Sequence, residues 1–262
     1  MAADDDCLIV DFETDEIKHY PTFNMIPLNM TWWQQVLEIP PPGWVSLFRD
    51  NQESLRHIYE LILKKGLAPY YPLDRDVFAA YWFTPANTVR VVIFGQDPYH
   101  DEDYQGYPSA TGLAFSLRED NMKINPSLRV IQESIAECYP GWKPKHGGSL
   151  MHWAQQGVML LNQCLTVCPG RAGSHQEIWR HFIFKTIECI NETNPFTVFV
   201  LWGKKAQDNL TEFIKARDES FVITAPHPSP INPASSREFK KSKQFLKIND
   251  KLLSIGQPAI QW

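Results

Sequence analysis

Residues 89–100 read Val89-Arg-Val-Val-Ile-Phe-Gly-Gln-Asp-Pro-Tyr-His100, an apolar run over 89–94 that passes abruptly into a turn crowded with polar side chains. Three later stretches share the apolar, β-branched character of its first half: residues 157–161, 197–202 and 221–225. Amphipathic helical patterns separate them, one beginning at Asn125-Pro126-Ser127 and one covering Trp179 to Ile190, and a further helical stretch covers residues 204–214. Apolar strands that alternate with helices are typical of parallel sheets buried on both faces. The sequence therefore predicts an α/β fold with a central four-stranded parallel sheet and helices on both faces.

Each predicted strand is followed by a short segment rich in functional groups. These segments are Gly95 to His100, Asn162, Gly203 with two lysines, and Pro226-His-Pro-Ser-Pro230. In open parallel sheets, ligands bind at the carboxyl ends of the strands, where the loops from different strands meet. We therefore expect these four segments, which are far apart in the sequence, to line one crevice.

The acidic residues are concentrated at the N-terminus. The 262 residues carry a formal net charge of −5, which is unfavourable for contact with DNA phosphates. Residues 1–16 contain seven acidic side chains and no Lys or Arg, so the remainder holds 23 acidic and 25 basic ones. This distribution predicts a mobile acidic leader over 1–16, followed by a single α/β domain over 17–262 whose N-terminal helical cap spans about 31–83. A basic stretch over 237–247 fits a phosphate-binding surface or a solvated helix face equally well.

Composition disfavours several classes of protein. No apolar run approaches the roughly 20 residues that cross a bilayer, and the acidic N-terminus is unlike a signal peptide. The five cysteines match neither a disulfide framework nor a paired zinc site, since only Cys164 and Cys168 lie close together in the sequence. We therefore expect a soluble, intracellular protein with reduced thiols, no membrane association and no bound metal.

Individual residues of the expected crevice allow both a structural and a functional interpretation. Asp97 alone is typical of an Asx turn, and His227 alone is typical of a structural histidine. Their positions after the first and fourth predicted strands favour a functional role. The Asn162 carboxamide can donate and accept at once, which suits a nucleobase edge, while Phe115 fits either the core or a stacking position. Gly203, directly before a predicted helix, offers backbone N–H groups to a phosphate.

Five motifs occur along the chain: Gly95-Gln-Asp-Pro-Tyr-His100, Gly112-Leu-Ala-Phe-Ser116, Leu160-Leu-Asn162, Leu201-Trp-Gly203 and His227-Pro-Ser-Pro230. In order and approximate spacing, they resemble the motifs of the family-1 uracil-DNA glycosylases. The resemblance covers about residues 89–262, where Gly173-Ser-His175 and Trp179 also fit, and extends only loosely to the N-terminal helices. The acidic leader and the divergent loops are compatible with a viral member of the family.

The resemblance implies an enzyme that flips uracil out of single- or double-stranded DNA and hydrolyses the N-glycosidic bond without a metal or other cofactor. Asp97 would orient the attacking water and stabilise positive charge on the sugar, and neutral His227 would hydrogen-bond uracil O2. Asn162 would pair with the uracil edge and reject cytosine, while Tyr99 would exclude the thymine methyl group. Phe115 would stack on the base.

The same resemblance implies further contacts to the base and to the DNA. Gln96 would contribute to the uracil pocket, and Ile231 would fill the emptied base stack. The residues implied to bind the DNA around the flipped base are His100, Pro126, Ser127, Gly203, Lys204, Pro228 and Ser229. We expect a monomer whose partner is uracil-containing DNA. Because DNA is the substrate, we also expect the protein to be located in the nucleus.

The chain also departs from the family pattern. Residues 101–111 form a longer loop than usual, Lys204 stands where serine is common, and Ile231 replaces the familiar leucine. The proline-rich loop is reduced to residues 125–127, and residues 232–242 have an unusual sequence. These changes bear on loop geometry and DNA affinity more than on the reaction.

Two other classes of protein compete with this interpretation. A non-catalytic DNA-binding or replication-accessory protein could keep the same fold, but the retained Asp97, Asn162 and His227 argue against it. An unrelated α/β hydrolase or nucleotide enzyme is disfavoured further, because the sequence has no Gly-x-Ser-x-Gly elbow and no Gly-Lys-Ser/Thr phosphate loop.

Overall fold

Four parallel strands form the central sheet in the order β2-β1-β3-β4. They are β1 (Val91–Gly95), β2 (Val158–Asn162), β3 (Val198–Trp202) and β4 (Val222–Ala225). The computed structural model describes residues 26, 27, 29–119, 123–214 and 218–262, and the predicted acidic leader lies outside these residues. The observed sheet confirms the predicted fold class, and each strand begins and ends within two residues of its predicted bounds.

The strand order places the carboxyl end of β1 beside those of both β2 and β3. On one side β1 pairs with β2, where Gly95 lies opposite Asn162, and on the other side it pairs with β3. The chain therefore leaves β1 towards β2 and later returns to β3 on the opposite side. Such a reversal opens a crevice between the loops at the carboxyl ends, which is where open α/β sheets bind their ligands.

Helices surround this sheet. Before β1 lie α1 (Trp32–Glu38), α2 (Val45–Asp50), α3 (Gln52–Lys64) and α4 (Ala79–Phe83), with 3-10 turns at Asp74–Asp76 and Ala86–Thr88. After β1 lie α5 (Pro126–Cys138), α6 (Met151–Ala154), α7 (Gln176–Thr193), α8 (Lys204–Ile214), α9 (Pro233–Lys241) and α10 (Gln244–Ser254), with a 3-10 turn at Glu219–Phe221. The two helices predicted to begin near residue 126 and at residue 204 are confirmed as α5 and α8. In the part of the chain that the structure describes, no helix is long and apolar enough to cross a membrane.

Aromatic rings join the helices before β1 to α7. Phe48 of α2 makes edge-to-face contacts with Phe78 and with Phe182 of α7, at 4.8 and 5.5 Å between ring centroids. Trp32 of α1 contacts Phe78 and Trp179 of α7 at 5.7 and 5.3 Å. Each such pair contributes about 0.5–1.5 kcal/mol beyond its buried area. These side chains belong to the same contiguous core as the sheet, which supports the proposed single domain.

Helices α9 and α10 cover the sheet face from which Trp202 of β3 projects. The Trp202 ring lies 5.1 Å from that of Phe239 in α9 and 6.2 Å from that of Phe245 in α10. Trp262, near the end of the chain, packs edge-on against Phe245 at 5.0 Å. Trp202 also contacts Phe115, in the segment after β1, at 5.1 Å. The core under α9 and α10 therefore extends directly to the carboxyl ends of the strands.

Candidate active site

A cleft of about 1020 Å³ opens at the carboxyl ends of the strands. Segments that follow all four strands contribute to its walls, so the structure brings together the polar segments that are distant in the sequence. The predicted site residues that line the cleft are Gln96, Asp97, Tyr99, His100, Phe115, Ser127, Asn162, Gly203, Lys204, His227, Ser229 and Ile231. Pro126 and Pro228 do not line the cleft. Pro126 is exposed at the start of α5, and Pro228 is buried.

Asn162 lies on the floor of the cleft, at the end of β2. Its side chain is buried, and the neighbouring Gly95 provides the space for it, because a Cβ atom on Gly95 would overlap Asn162 Oδ1. The Asn162 carboxamide forms no hydrogen bond with another described residue. Its donor and its acceptor are therefore both open to a ligand with a polar edge.

Asp97 follows β1 directly and is partly buried. Its carboxylate accepts a hydrogen bond from the backbone N–H of Gly173. Burial raises the pKa of the Asp97 carboxyl above its usual value, while the Gly173 hydrogen bond and the charges of His100 and Lys205 oppose that shift. A carboxylate held by a backbone donor has a fixed orientation, and it can polarise a water molecule or stabilise a developing positive charge.

A buried hydrogen-bond network around His175 fixes the loop that carries Gly173. Thr166 Oγ1 accepts from Trp179 Nε1 at 2.7 Å and lies 2.8 Å from His175 Nδ1. On the other side of the ring, His175 Nε2 lies 3.2 Å from Cys168 Sγ. Burial lowers the pKa of His175 to about 4, which keeps the ring neutral at pH 7. The sequence alone assigns no role to Gly173, and only its place in Gly173-Ser-His175 marks it.

His227 follows β4, and its ring has a defined tautomer. Nδ1 accepts a hydrogen bond from the backbone N–H of Ser229 at 3.0 Å, and Ser235 Oγ donates to the His227 carbonyl oxygen at 3.0 Å. Burial lowers the pKa of His227 below its usual value, so the ring is neutral at pH 7. Because Nδ1 accepts, the proton of the neutral ring is on Nε2.

Gly203, at the end of β3, packs directly against His227. Its φ of +85° lies in the left-handed region, and a Cβ atom there would be 2.9 Å from His227 Cβ and 3.1 Å from His227 Cδ2. Its N–H donates to the carbonyl oxygen of Ala225 at 2.8 Å, which joins the ends of β3 and β4. Both the backbone conformation and the clearance require glycine at this position.

Tyr99 and Phe115 form an aromatic wall of the cleft. The Tyr99 hydroxyl donates to the Phe115 carbonyl oxygen at 3.0 Å. Phe115 has a φ of 64°, a left-handed conformation that costs a residue other than glycine about 1–3 kcal/mol. The backbone N–H of Ala114 donates to the Leu160 carbonyl oxygen at 3.0 Å and so anchors the segment beside β2. Surrounding contacts therefore hold the Phe115 ring in place against local strain, a situation typical of functional sites.

The rim of the cleft is formed by the starts of three helices and by the loop after β4. Ser127, Lys204 and Asn232 lie at the starts of α5, α8 and α9, where backbone N–H groups attract anions. Lys204 Nζ lies 3.4 Å from Asp208 Oδ1 in a solvent-exposed pair of little energetic value. The side chain of Ile231 is 94% exposed. Further residues line the cleft but belong to no motif in the sequence, among them Gln207, Thr224, Asn232 and Ser235.

The chain is similar to bacterial uracil-DNA glycosylases. It is 41% identical over 241 residues to the uracil-DNA glycosylase of Deinococcus radiodurans, a match that covers 91% of this chain and 90% of the relative. It is 42% identical over 193 residues to that of Vibrio campbellii, covering 73% and 81% of the two chains. Among solved structures, the mimivirus uracil-DNA glycosylase is 23% identical and gives a TM-score of 0.78 over 97% of this chain and 96% of that chain. This structural likeness shows a shared fold.

These relatives correct one prediction made from the sequence. A nuclear location was expected because DNA is the implied substrate. The relatives in Deinococcus radiodurans and Vibrio campbellii are bacterial proteins, and bacteria have no nucleus. The predicted nuclear location is therefore wrong.

The family model described as the uracil DNA glycosylase superfamily matches residues 81–253. This range includes all four strands of the sheet and all the predicted site residues that line the cleft. The family model and the bacterial relatives thus agree over the part of the chain that builds the cleft. The chain therefore belongs to the uracil-DNA glycosylase superfamily.

Proposed function

We propose that this chain removes uracil from DNA by hydrolysing the bond between the base and its deoxyribose, which leaves an abasic site for base excision repair. The observation that carries the proposal is the presence of Asp97, Asn162 and His227 in one cleft. A carboxylate, a carboxamide and a neutral imidazole supply charge stabilisation, base recognition and leaving-group stabilisation respectively. Membership of the superfamily supports the same reaction.

Asp97 acts on the sugar side of the bond that breaks. Glycosidic cleavage passes through an oxocarbenium-like state, in which positive charge builds up on the deoxyribose. The hydrogen bond from Gly173 fixes one carboxylate oxygen of Asp97 and leaves the other free to face this charge or to orient a water molecule. Partial burial strengthens the interaction, because the effective dielectric constant in the cleft is lower than in water.

His227 acts on the base side. The departing uracil carries negative charge at O2, and a hydrogen-bond donor placed there stabilises it. The Ser229 N–H occupies Nδ1, so His227 offers its Nε2 proton to this oxygen. The lowered pKa of His227 supports a neutral donor, since burial disfavours the imidazolium form.

The floor and the aromatic wall select the base. Asn162 presents a donor and an acceptor to the uracil edge, and cytosine would leave them mismatched because its exocyclic amine replaces an acceptor by a donor. Tyr99, anchored to the Phe115 carbonyl oxygen, occupies the space that a thymine methyl group would need. Phe115 stacks on the ring, and Gln96 completes the pocket.

The rim holds the DNA while the base leaves the stack, a step that costs a few kcal/mol in a duplex. The starts of α5 and α8, at Ser127 and Lys204, offer backbone N–H groups to phosphates, and the Ser229 hydroxyl and His100 lie beside them on the cleft wall. Ile231 fills the space that uracil vacates. A single chain carries all of these groups in one cleft, which supports action as a monomer on single- or double-stranded DNA.

The direct test is release of free uracil from a single-uracil oligonucleotide in EDTA, with a matched thymine oligonucleotide as the control. We expect uracil release without added metal and no release of thymine. Binding to the oligonucleotide without release would favour the non-catalytic DNA-binding protein that keeps this fold. A requirement for added metal would contradict the predicted absence of a cofactor.

A further inference from the structure

Residues 101–111, here called the Tyr loop, rise from the edge of the cleft. Asp101, Ala110 and Thr111, at the two ends of the loop, line the cleft. At its tip, Tyr104 and Tyr107 are 66% and 54% exposed, and no charged residue lies between them. Two tyrosine rings are therefore held in solvent beside the proposed DNA-binding site.

The Tyr loop is preorganised by its own hydrogen bonds. Asp103 Oδ1 accepts from the backbone N–H groups of Gln105 and Tyr107 at 2.8 and 3.0 Å, and the Asp103 N–H donates to the Tyr107 carbonyl oxygen at 2.8 Å. Nearer the base of the loop, the Ser109 N–H donates to the Asp101 carbonyl oxygen at 3.0 Å. A preformed loop loses little conformational entropy when a ligand binds, so its exposed rings are suited to contact.

Two of the three acidic side chains of the Tyr loop, Asp103 and Glu102, are engaged in its structure. The Asp103 side chain is only 7% exposed and lies 3.5 Å from the Arg118 guanidinium, which also sits 5.7 Å from the centre of the Tyr107 ring. Glu102 accepts a hydrogen bond from the Tyr71 hydroxyl. The tip itself thus presents aromatic and amide groups rather than charge, a surface suited to bases more than to phosphates.

We propose that Tyr104 and Tyr107 stack on unpaired bases of the DNA strand next to the uracil, and that the Tyr loop thereby favours single-stranded uracil-containing DNA. This inference rests on the proposed function. Every base has a π-face, so stacking on exposed tyrosines is independent of sequence, whereas the bases of a duplex are already stacked on each other. Continuity of the loop with the cleft favours a DNA strand over a protein partner.

The reach of the Tyr loop determines how many nucleotides of the DNA strand lie between the uracil and the bases that the tyrosines contact. Each tyrosine is three residues from a residue that lines the cleft, so at ~3.3 Å per extended residue it lies at most roughly 10 Å along the chain from the cleft. At about 3.4 Å per nucleotide of one strand, this corresponds to about three nucleotides beyond the uracil. Oligonucleotides with a single flanking nucleotide on each side should not reach the tip.

The test compares the double variant Tyr104→Ala/Tyr107→Ala with the wild-type chain on three substrates. These are uracil with six flanking nucleotides on each side, the same strand in a duplex, and uracil with one flanking nucleotide on each side. Stacking of one base on an aromatic ring changes affinity about 5- to 100-fold, so we expect KM on the long single strand to rise at least about tenfold with kcat unchanged. On the duplex, whose bases are already stacked, and on the short substrate, which does not reach the tip, KM should change less than about twofold.

Two matched variants make the result specific to the rings. Tyr104→Phe/Tyr107→Phe keeps both rings and should restore KM on the long single strand. Phe196→Ala removes a 53% exposed aromatic ring at the opposite, amino end of β3 and should leave KM near the wild-type value. An equal rise of KM on single strand and duplex, or no rise on either, would overturn the proposal.

A binding measurement separates this inference from the proposed function. Fluorescence anisotropy with a labelled, uracil-free single strand of 13 nucleotides reports Kd without any catalysis. Failure of the wild-type chain to release uracil from any substrate would refute the proposed function alone. An unchanged Kd in Tyr104→Ala/Tyr107→Ala, alongside normal uracil release, would refute the stacking role of the Tyr loop alone.

Discussion

The floor and the rim of the cleft are built in different ways. The floor groups Asp97, Asn162 and His227 follow strand ends, and the backbone and glycines around them set their positions. At the rim and on the adjoining Tyr loop, Ile231 and Tyr104 are exposed side chains on loops, with few neighbours to constrain them. In the proposed function, the sheet therefore positions the groups that carry out the reaction, while the loops set how DNA is held. Changes on the floor should affect the rate of cleavage on every substrate, and changes at the rim should affect some substrates and not others.

The largest effect is expected at Asp97. Asp97→Asn keeps the size of the side chain and its ability to accept from Gly173 but removes the negative charge that we propose stabilises the sugar cation. We expect single-turnover cleavage to slow on the order of 10³-fold, within the range for removing a catalytic group, on single-stranded and duplex DNA alike. Asp250→Asn, an exposed change on α10, is the control and should cleave at the wild-type rate. Unchanged cleavage by Asp97→Asn would remove Asp97 from the mechanism.

A smaller loss of activity is expected at Gly203, which has no side chain that could contact the substrate. Gly203→Ala would place a Cβ 2.9 Å from His227 Cβ and so displace the imidazole. Misplacing a catalytic donor by about 1 Å costs on the order of 10²-fold in kcat. The measurement is kcat at saturating DNA on both single-stranded and duplex substrates.

Gly256→Ala is the matched control for this change. Gly256 has a φ of +74°, close to that of Gly203, but nothing lies within 4 Å of the added Cβ. Both variants carry the cost of a left-handed alanine, about 1 kcal/mol of folding free energy. Equal losses of kcat in the two variants would indicate backbone strain rather than displacement of His227.

The dependence of kcat/KM on pH should report the protonation of two floor groups, Asp97 and His227. The proposed mechanism needs Asp97 ionised and His227 neutral, and acid protonates both, so kcat/KM should fall on the acid side. Burial raises the pKa of Asp97 and lowers that of His227, which brings the two protonations closer together than the usual values of about 3.9 and 6.5. Where both groups titrate, kcat/KM should fall by up to about 100-fold per pH unit, tenfold for each group.

Asp97→Asn removes one of these protonations. Its acid limb, measured in single turnovers between pH 4 and 8, should therefore be less steep than that of the wild-type chain, approaching tenfold per unit. An acid limb of the same steepness in both proteins would show that Asp97 does not titrate in the range that controls activity.

The sequence predicts the strand ends better than the loops for a physical reason. Strands such as Val158–Asn162 are buried on both faces, so their apolar runs stand out, and parallel pairing brings their ends together without further information. Gly173 was missed as a partner of Asp97 because it lies in an irregular loop whose position depends on contacts of His175 with Thr166 and Cys168. No local pattern encodes such long-range contacts.

Turn and loop positions show the same limit. Motif position groups Pro126 and Pro228 with the residues predicted to bind DNA; neither lines the cleft, and their DNA contacts stay a prediction. The left-handed backbone of Phe115 was not predicted either, since that conformation is rare outside glycine and is imposed by the surrounding fold. Likewise, the shape of the Tyr loop depends on Arg118, which lies beyond the loop in the sequence.

The smallest effect is expected at Ile231, and it should depend on the substrate. In the proposed function, the Ile231 side chain moves in a duplex from 94% exposure into the space left by uracil, which would bury apolar surface and oppose return of the base. Ile231→Ala should therefore lower kcat/KM on duplex DNA about five- to tenfold, corresponding to about 1–1.4 kcal/mol, and change it less than about twofold on a single strand, where no stack has to be refilled. Leu253→Ala, an exposed apolar change on α10, controls for general loss of surface area. The variant Tyr104→Ala/Tyr107→Ala should show the reverse pattern, with its loss of activity on the single strand rather than on the duplex. If either variant lost activity on both substrates, the rim would not be independent of the floor.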